Sequence, residues 1–104
     1  KAMSTYVIER HDGYVRVTYD GTPIPLKQCR NLAHPLFDTG NDSDGSLNLA
    51  YSLLAHRAGE DEANLSSEYF MREHIVKRRQ MPWWIEAEEI GRFRDFLGKI
   101  AWAA

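Results

Sequence analysis

The chain of 104 residues has one cysteine, four prolines and no surplus of positive charge. It also has no apolar run near the ~18 residues a membrane-spanning helix needs. Each absence removes a class of protein. Cys29 alone cannot close an internal disulfide, so a stapled secreted scaffold is excluded and a reducing cytoplasm is the expected compartment. A nucleophilic thiol needs a base beside it. His34, five residues on, is the one near in sequence, and a lone thiol packing as a small hydrophobe is the simpler expectation. Without an apolar span or the apolar stretch of a signal peptide, neither membrane insertion nor export by that route is expected. Lys plus Arg number 13 against 15 Asp plus Glu, for a net charge of −2 and a pI near 6.1, so the bulk charge repels phosphate backbones.

Familiar catalytic patterns are missing as well. The four histidines, His11, His34, His56 and His74, include no pair at the i, i+4 spacing that presents two metal ligands on one helical face. No Gly-x-Ser-x-Gly elbow occurs, and Ser43 is flanked by carboxylates where an oxyanion hole would need donors. The oxygen-rich loop from Asp38 to Ser46 invites a calcium reading. In EF-hand register, however, the first ligand position falls on Gly40 and the bidentate acid position on Tyr51. A turn whose Asp or Ser caps the following helix is expected instead, and no metal or cofactor.

What is present suffices for one core. Hydrophobic residues make up 43% of the chain and aromatics 12%, enough for a single domain over residues 3–104, with Met3 as the expected native start. Residues 5–10 and 14–19 are rich in β-branched and aromatic side chains, and Asp12-Gly13 between them supplies the positive φ of a tight hairpin. Asp20-Gly21 turns the chain again. Pro23 and Pro25 then remove ladder donors, which makes their stretch an edge strand or an extended connector. Residues 32–37 are candidates for a short third strand.

From Leu47 the period changes from two to 3.6. Leu47, Leu49, Ala50, Leu53, Leu54 and Ala58 leave a narrow polar stripe at Asn48, Ser52 and His56, which predicts a central helix wrapped on most sides and closed by Gly59. A second helix is expected from the acids at 60–62 to about Arg79, stopping before Met81-Pro82. It has two apolar faces, one of Ala63, Phe70, Met71 and His74, the other a ridge of Leu65, Tyr69 and Val76. Trp83-Trp84-Ile85 leads into a third helix with a stripe of Ile90, Phe93, Leu97, Ile100 and Ala101. Its far side carries Gly91, Asp95, Gly98 and Trp102. Two mid-helix glycines cost about 1 kcal/mol each relative to alanine, which suggests close approach by something. The fold expected is α+β, an N-terminal antiparallel β-hairpin or small sheet followed by about three helices packed on one face.

One basic cluster stands out: Arg72, Lys77, Arg78 and Arg79, with Trp83 and Trp84 beside it. Acids at the start and bases at the end of one helix are what dipole compensation produces, and a phosphate-binding patch is the sharper alternative.

The run Phe37-Asp38-Thr39-Gly40-Asn41-Asp42-Ser43-Asp44-Gly45-Ser46-Leu47-Asn48-Leu49-Ala50-Tyr51-Ser52-Leu53-Leu54 resembles an uncharacterised domain family of bacteria, plasmids and phages. In that family a Phe-x-Trp-Gly-Tyr-Gly-Gly-Ser-Gly-Pro loop precedes a Leu-Ala-x-x-Leu-Leu helix. Val17 to Gly21, Gly59, Tyr69-Phe70, Pro82, Trp84 and Ile90 match in order, so the resemblance covers most of the chain. It implies a small α+β domain of mobile elements and carries no activity with it. Of the glycine-rich loop this chain keeps Gly40 and Gly45. Asp42 and Asp44 would repel an anion at the helix N-terminus.

The function expected is a non-enzymatic protein-interaction domain, in one form an inhibitor of a host defence complex. Its candidate contacts are Asp38, Asp42, Asp44, Leu65, Tyr69, Val76, Gly91, Gly98 and Trp102, and the glycine face offers a homodimer. The alternatives are a small hydrolase or metal-dependent enzyme using His34 or His74 with the acidic loop, and nucleic-acid binding through the basic cluster.

Overall fold

In the computed structural model, residues 4–25, 36–93 and 95 are described. The two Asp-Gly pairs set the sheet. Strand β1 (Thr5–His11) and strand β2 (Tyr14–Tyr19) pair antiparallel through Asp12 and Gly13, both at positive φ (51° and 83°), the combination a two-residue hairpin turn requires. Asp20 and Gly21 repeat it at 50° and 87° and start the short edge strand β3 (Thr22–Pro23). Pro23 sits at a register position whose nitrogen faces away from β2, so its missing N–H costs the ladder nothing, and the Ile24 amide still donates to the Val17 carbonyl at 3.0 Å.

Strand β4 (Trp83–Glu86) comes from the far end of the sequence and pairs antiparallel with β1, giving the order β3-β2-β1-β4. This corrects the expectation that the Trp-Trp-Ile run merely leads into a helix. It is a β-prone tetrapeptide, and helical backbone follows only from residue 87, over 87–93. Alternate residues of the sheet are buried: Tyr6 and Ile8, Val15 and Val17, Trp83 and Ile85. The residues between them are intermediate or exposed.

Helix α1 (Asp44–Ala58) is the central helix. Nine consecutive residues from Ser46 to Leu54 are buried, which a helix with one solvent face could not show. The stripe of Asn48 and Ser52 is therefore interior, and Asn48 Nδ2 donates to the Leu36 carbonyl at 3.1 Å. Leu49, Leu53 and Leu54 are fully buried, and truncating any one to alanine would cost about 2–5 kcal/mol. The Ser43 hydroxyl caps the helix by accepting from the Ser46 amide, and Gly59 closes it at φ 97°.

Helix α2 (Glu60–Phe70) buries Ala63, Ser66, Ser67 and Phe70 and leaves Leu65 and Tyr69 outside, as its two faces predicted. It does not continue to Arg79. At Met71 the backbone changes to a π-helical turn, η1 (Met71–Ile75), closed by the Val76 amide donating to the Met71 carbonyl. The wider turn advances each residue by less than 100°, so Ile75 becomes fully buried. Val76 packs partly buried against the core rather than extending the ridge of Leu65 and Tyr69. Where the helix stops, the Ile75 carbonyl is taken from outside it, accepting from the amides of Gly40 and Arg78.

Ile90 and Phe93 are buried on the helix at 87–93, in line with the expected stripe. Among the described residues nothing approaches Gly91 closely; a Cβ there would meet an Arg57 guanidinium nitrogen at 3.7 Å. Leu36 and Phe37 are not in a strand. Residues 32–35, with Cys29, His34, Leu97, Gly98, Ile100, Ala101 and Trp102, lie outside the described residues.

Candidate functional site

The loop over residues 38–46 uses most of its polar groups on itself. Asp38 accepts from the Thr39 amide at 2.8 Å and from Asn41 Nδ2 at 3.0 Å; Asn41 Oδ1 in turn accepts from the Ser43 amide and the Ser46 hydroxyl, each at 2.9 Å. Asp38 is thus a brace of the loop, while Asp42 and Asp44 stay exposed. Among the described residues, no group of three or more His, Cys, Asp or Glu could hold a metal ion.

Both glycines of this loop are packing requirements. A Cβ on Gly45 would lie 2.7 Å from the Asp38 Cβ and 3.2 Å from the Leu36 carbonyl. One on Gly40, at φ 79°, would lie 3.0 Å from the Arg79 Cα and 3.1 Å from the Arg78 carbonyl. The loop is pressed against the chain that leaves η1. Between them sits Thr39, buried, whose hydroxyl lies 2.9 Å from the Arg78 carbonyl and accepts from the Trp83 indole N–H at 3.1 Å.

That anchoring shapes the surface beyond it. Lys77, Arg78 and Arg79 follow the end of η1 rather than filling its last turn, and with Gln80, Pro82, Trp83, Trp84 and Glu89 they line an open cleft of about 690 Å³. Arg78 lies over the Trp83 ring, 5.0 Å from its centroid. Trp84 points away from the core and is 62% exposed. Arg72, the fourth member of the basic cluster, is turned back along α2 to Glu68 at 3.6 Å and does not line the cleft. The structure therefore unites three of the four bases with both tryptophans.

A second cleft, of about 460 Å³, lies between the hairpin and the acidic loop; Arg10, Tyr14, Leu36, Phe37, Asp38 and Asp44 are among its walls. The ridge on α2 is reduced to Leu65 and Tyr69, 78% and 57% exposed. Two histidines have specific surroundings. His74 stacks on Phe70 at 4.7 Å and meets Phe93 edge-on at 5.4 Å, and burial holds its pKa below the usual value, with Lys77 and Arg78 adding to the effect and Glu89 and Glu73 opposing it. His56 Nδ1 is 2.7 Å from the phenol oxygen of Tyr6, a residue with no exposed surface, and Tyr19 packs on both rings. Burial raises the Tyr6 pKa, so the phenol stays protonated beside the imidazole. Sequence reasoning missed this cluster. Its three members lie on separate elements, β1, β2 and α1, and no local pattern links them.

The family model for DUF6166, described as a family of unknown function, matches residues 6–96. The chain belongs to that family. The match spans the sheet, α1, α2 and the start of the last helix, so the loop glycines and the cleft both lie within the DUF6166 domain. No curated protein and no solved structure matches the chain.

Proposed function

We propose that this DUF6166 domain is a non-enzymatic protein-interaction module that engages its partner through the cleft at the start of β4. The observation that carries the reading is Trp84, more than half exposed, beside Lys77, Arg78 and Arg79. Tryptophan and arginine are the residues on which binding energy concentrates at protein interfaces, and here both border a concave surface. The 690 Å³ volume is also that of a groove for a few side chains. Acids frame it. Glu89 is on its wall, and Glu86 and Glu88 follow in the same stretch, so a long polyanion running past the cleft meets like charge. One concrete form of the reading is a phage- or plasmid-borne inhibitor occupying a site on a host defence complex. The similarity of the run at 37–54 to a mobile-element family supports that form.

The test places a photo-crosslinking residue at Gln80, within the cleft, and at Arg16, on β2. A protein captured from Gln80 and not from Arg16, and lost when Trp84 is changed to Ala, supports the reading. Capture of nucleic acid alone, or of nothing at either position, overturns it.

A further inference from the structure

Strand β4 is the margin of the sheet, and among the described residues nothing pairs with its outer edge. Which of its backbone groups face outward follows from register. The Ala87 amide donates to the Ser4 carbonyl at 2.9 Å, so in this antiparallel ladder residues 83, 85 and 87 turn their N–H and C=O toward β1. The Asp20 amide donates to the Thr5 carbonyl, which places the odd residues of β1 on the β2 side and agrees with that assignment. Trp84 and Glu86 therefore present their backbone groups outward. The opposite margin of the sheet differs: β3 has two residues, one of them Pro23, which has no N–H to offer.

The surroundings of the β4 edge are specific. Trp83 and Trp84 point to opposite faces of the sheet, so a cleft lined by both crosses the strand's margin rather than lying on one face. Cations at 77–79 stand at its beginning and carboxylates at 86 and 89 at its end. A strand laid along four residues covers about 13 Å, short enough for one charged end to rest by the cations.

We infer that the outer edge of β4 accepts an extended acidic segment of a partner protein as an added fifth strand. This rests on the protein-interaction reading and names its ligand and mode. Main-chain hydrogen bonds to Trp84 and Glu86 supply register, the exposed Trp84 indole covers an apolar side chain of the segment, and Lys77 and Arg79 meet its carboxylates. The charge gradient sets direction, with the acidic end of the segment toward residues 77–79.

The experiment titrates the full chain with a capped heptapeptide that carries its glutamates in one half and alternates valine and threonine in the other, following tryptophan fluorescence and calorimetry. Expected is saturable binding that weakens about tenfold or more in Trp84→Ala and Arg79→Glu, the loss typical of an interface anchor. The same is expected when lysine replaces glutamate in the peptide. N-methylation of alternate peptide amides in one register abolishes binding, and in the other register leaves it intact. Circular dichroism and thermal melting confirm that the variants fold, which the exposure of both side chains favours. Equal binding by both N-methylated peptides overturns strand addition, as does tighter binding of a twelve-residue oligothymidine than of the peptide. A partner crosslinked from Gln80 that the peptide does not displace overturns this inference and leaves the interaction reading standing.

Discussion

The indole N–H of Trp83 donates to the Thr39 hydroxyl at 3.1 Å, joining the fourth strand to the loop before α1 across 44 residues of sequence. The same hydroxyl, 2.9 Å from the Arg78 carbonyl, satisfies the backbone where the chain leaves η1. One side chain thus ties together the three segments whose surface forms the cationic cleft.

Thr39→Val keeps the shape and removes both hydrogen bonds, leaving a buried indole N–H and a carbonyl unpaired. The expected loss is about 2 kcal/mol, read from urea denaturation midpoints. Thr39→Ser retains the hydroxyl and gives up a methyl, for about 1 kcal/mol. Equal losses in the two variants would show that packing, not the hydroxyl, is what the position supplies.

Gly45 and Gly91 should respond oppositely to alanine. At Gly45 the new Cβ would sit 2.7 Å from the Asp38 Cβ, a clash that only backbone movement relieves, and a loss of about 1–3 kcal/mol is expected. At Gly91 the described residues leave the space open apart from the Arg57 guanidinium at 3.7 Å, so Gly91→Ala should stabilise by about 0.5–1 kcal/mol through helix propensity. Thermal midpoints moving down for the first and up for the second bear this out. A decrease at Gly91 would mean that this face is already in contact with something.

Tyr6→Phe tests the phenol buried against His56. The 2.7 Å bond is lost, but the exposed imidazole can turn to water, so about 0.5–1 kcal/mol is expected. Burial raises the Tyr6 pKa, with Tyr19 and Asp20 adding to the effect and Arg57 opposing it. A phenol with a raised folded pKa contributes stability that is present at neutral pH and is lost as pH rises past the unfolded value near 10. The phenol absent from a spectrophotometric titration of Tyr6→Phe should be one that ionises above the usual value near 10.

The turns, the central helix and its caps were legible because each rests on local chemistry. Asp12-Gly13 and Asp20-Gly21 need positive φ, nine residues from Ser46 to Leu54 have no solvent side, and Gly59 follows the last periodic residue at a positive φ. Strand β4 was not, since four residues carry too little periodicity to separate from a helix start, and its partner β1 lies some 80 residues away. The π-turn at 71–75 escaped for the same reason: what captures the Ile75 carbonyl is the Gly40 amide, and nothing near residue 75 announces it. Of the site, the adjacency of bases and tryptophans was readable. Their grouping around one cleft, with Arg72 turned away, depends on where the helix ends.

The placement of His74 predicts an acid limb in stability. Its ring lies between Phe70 and Phe93 on the inner side of η1, and burial, the largest influence, lowers its pKa in the folded state. The unfolded chain, with an ordinary value near 6.5, binds the proton more readily, so acidification favours unfolding. The stability held by the neutral ring is complete above about pH 7 and is lost as pH falls below 6.5 toward the lowered folded value. Replacing His74 by Phe keeps an aromatic ring in the stack and removes the proton. The variant should lose less stability than the parent between about pH 7 and pH 5, and the two denaturation curves should diverge there before the carboxylates titrate. Parallel curves through that window would place the acid sensitivity elsewhere, with His11 and His56 as the other described imidazoles to replace.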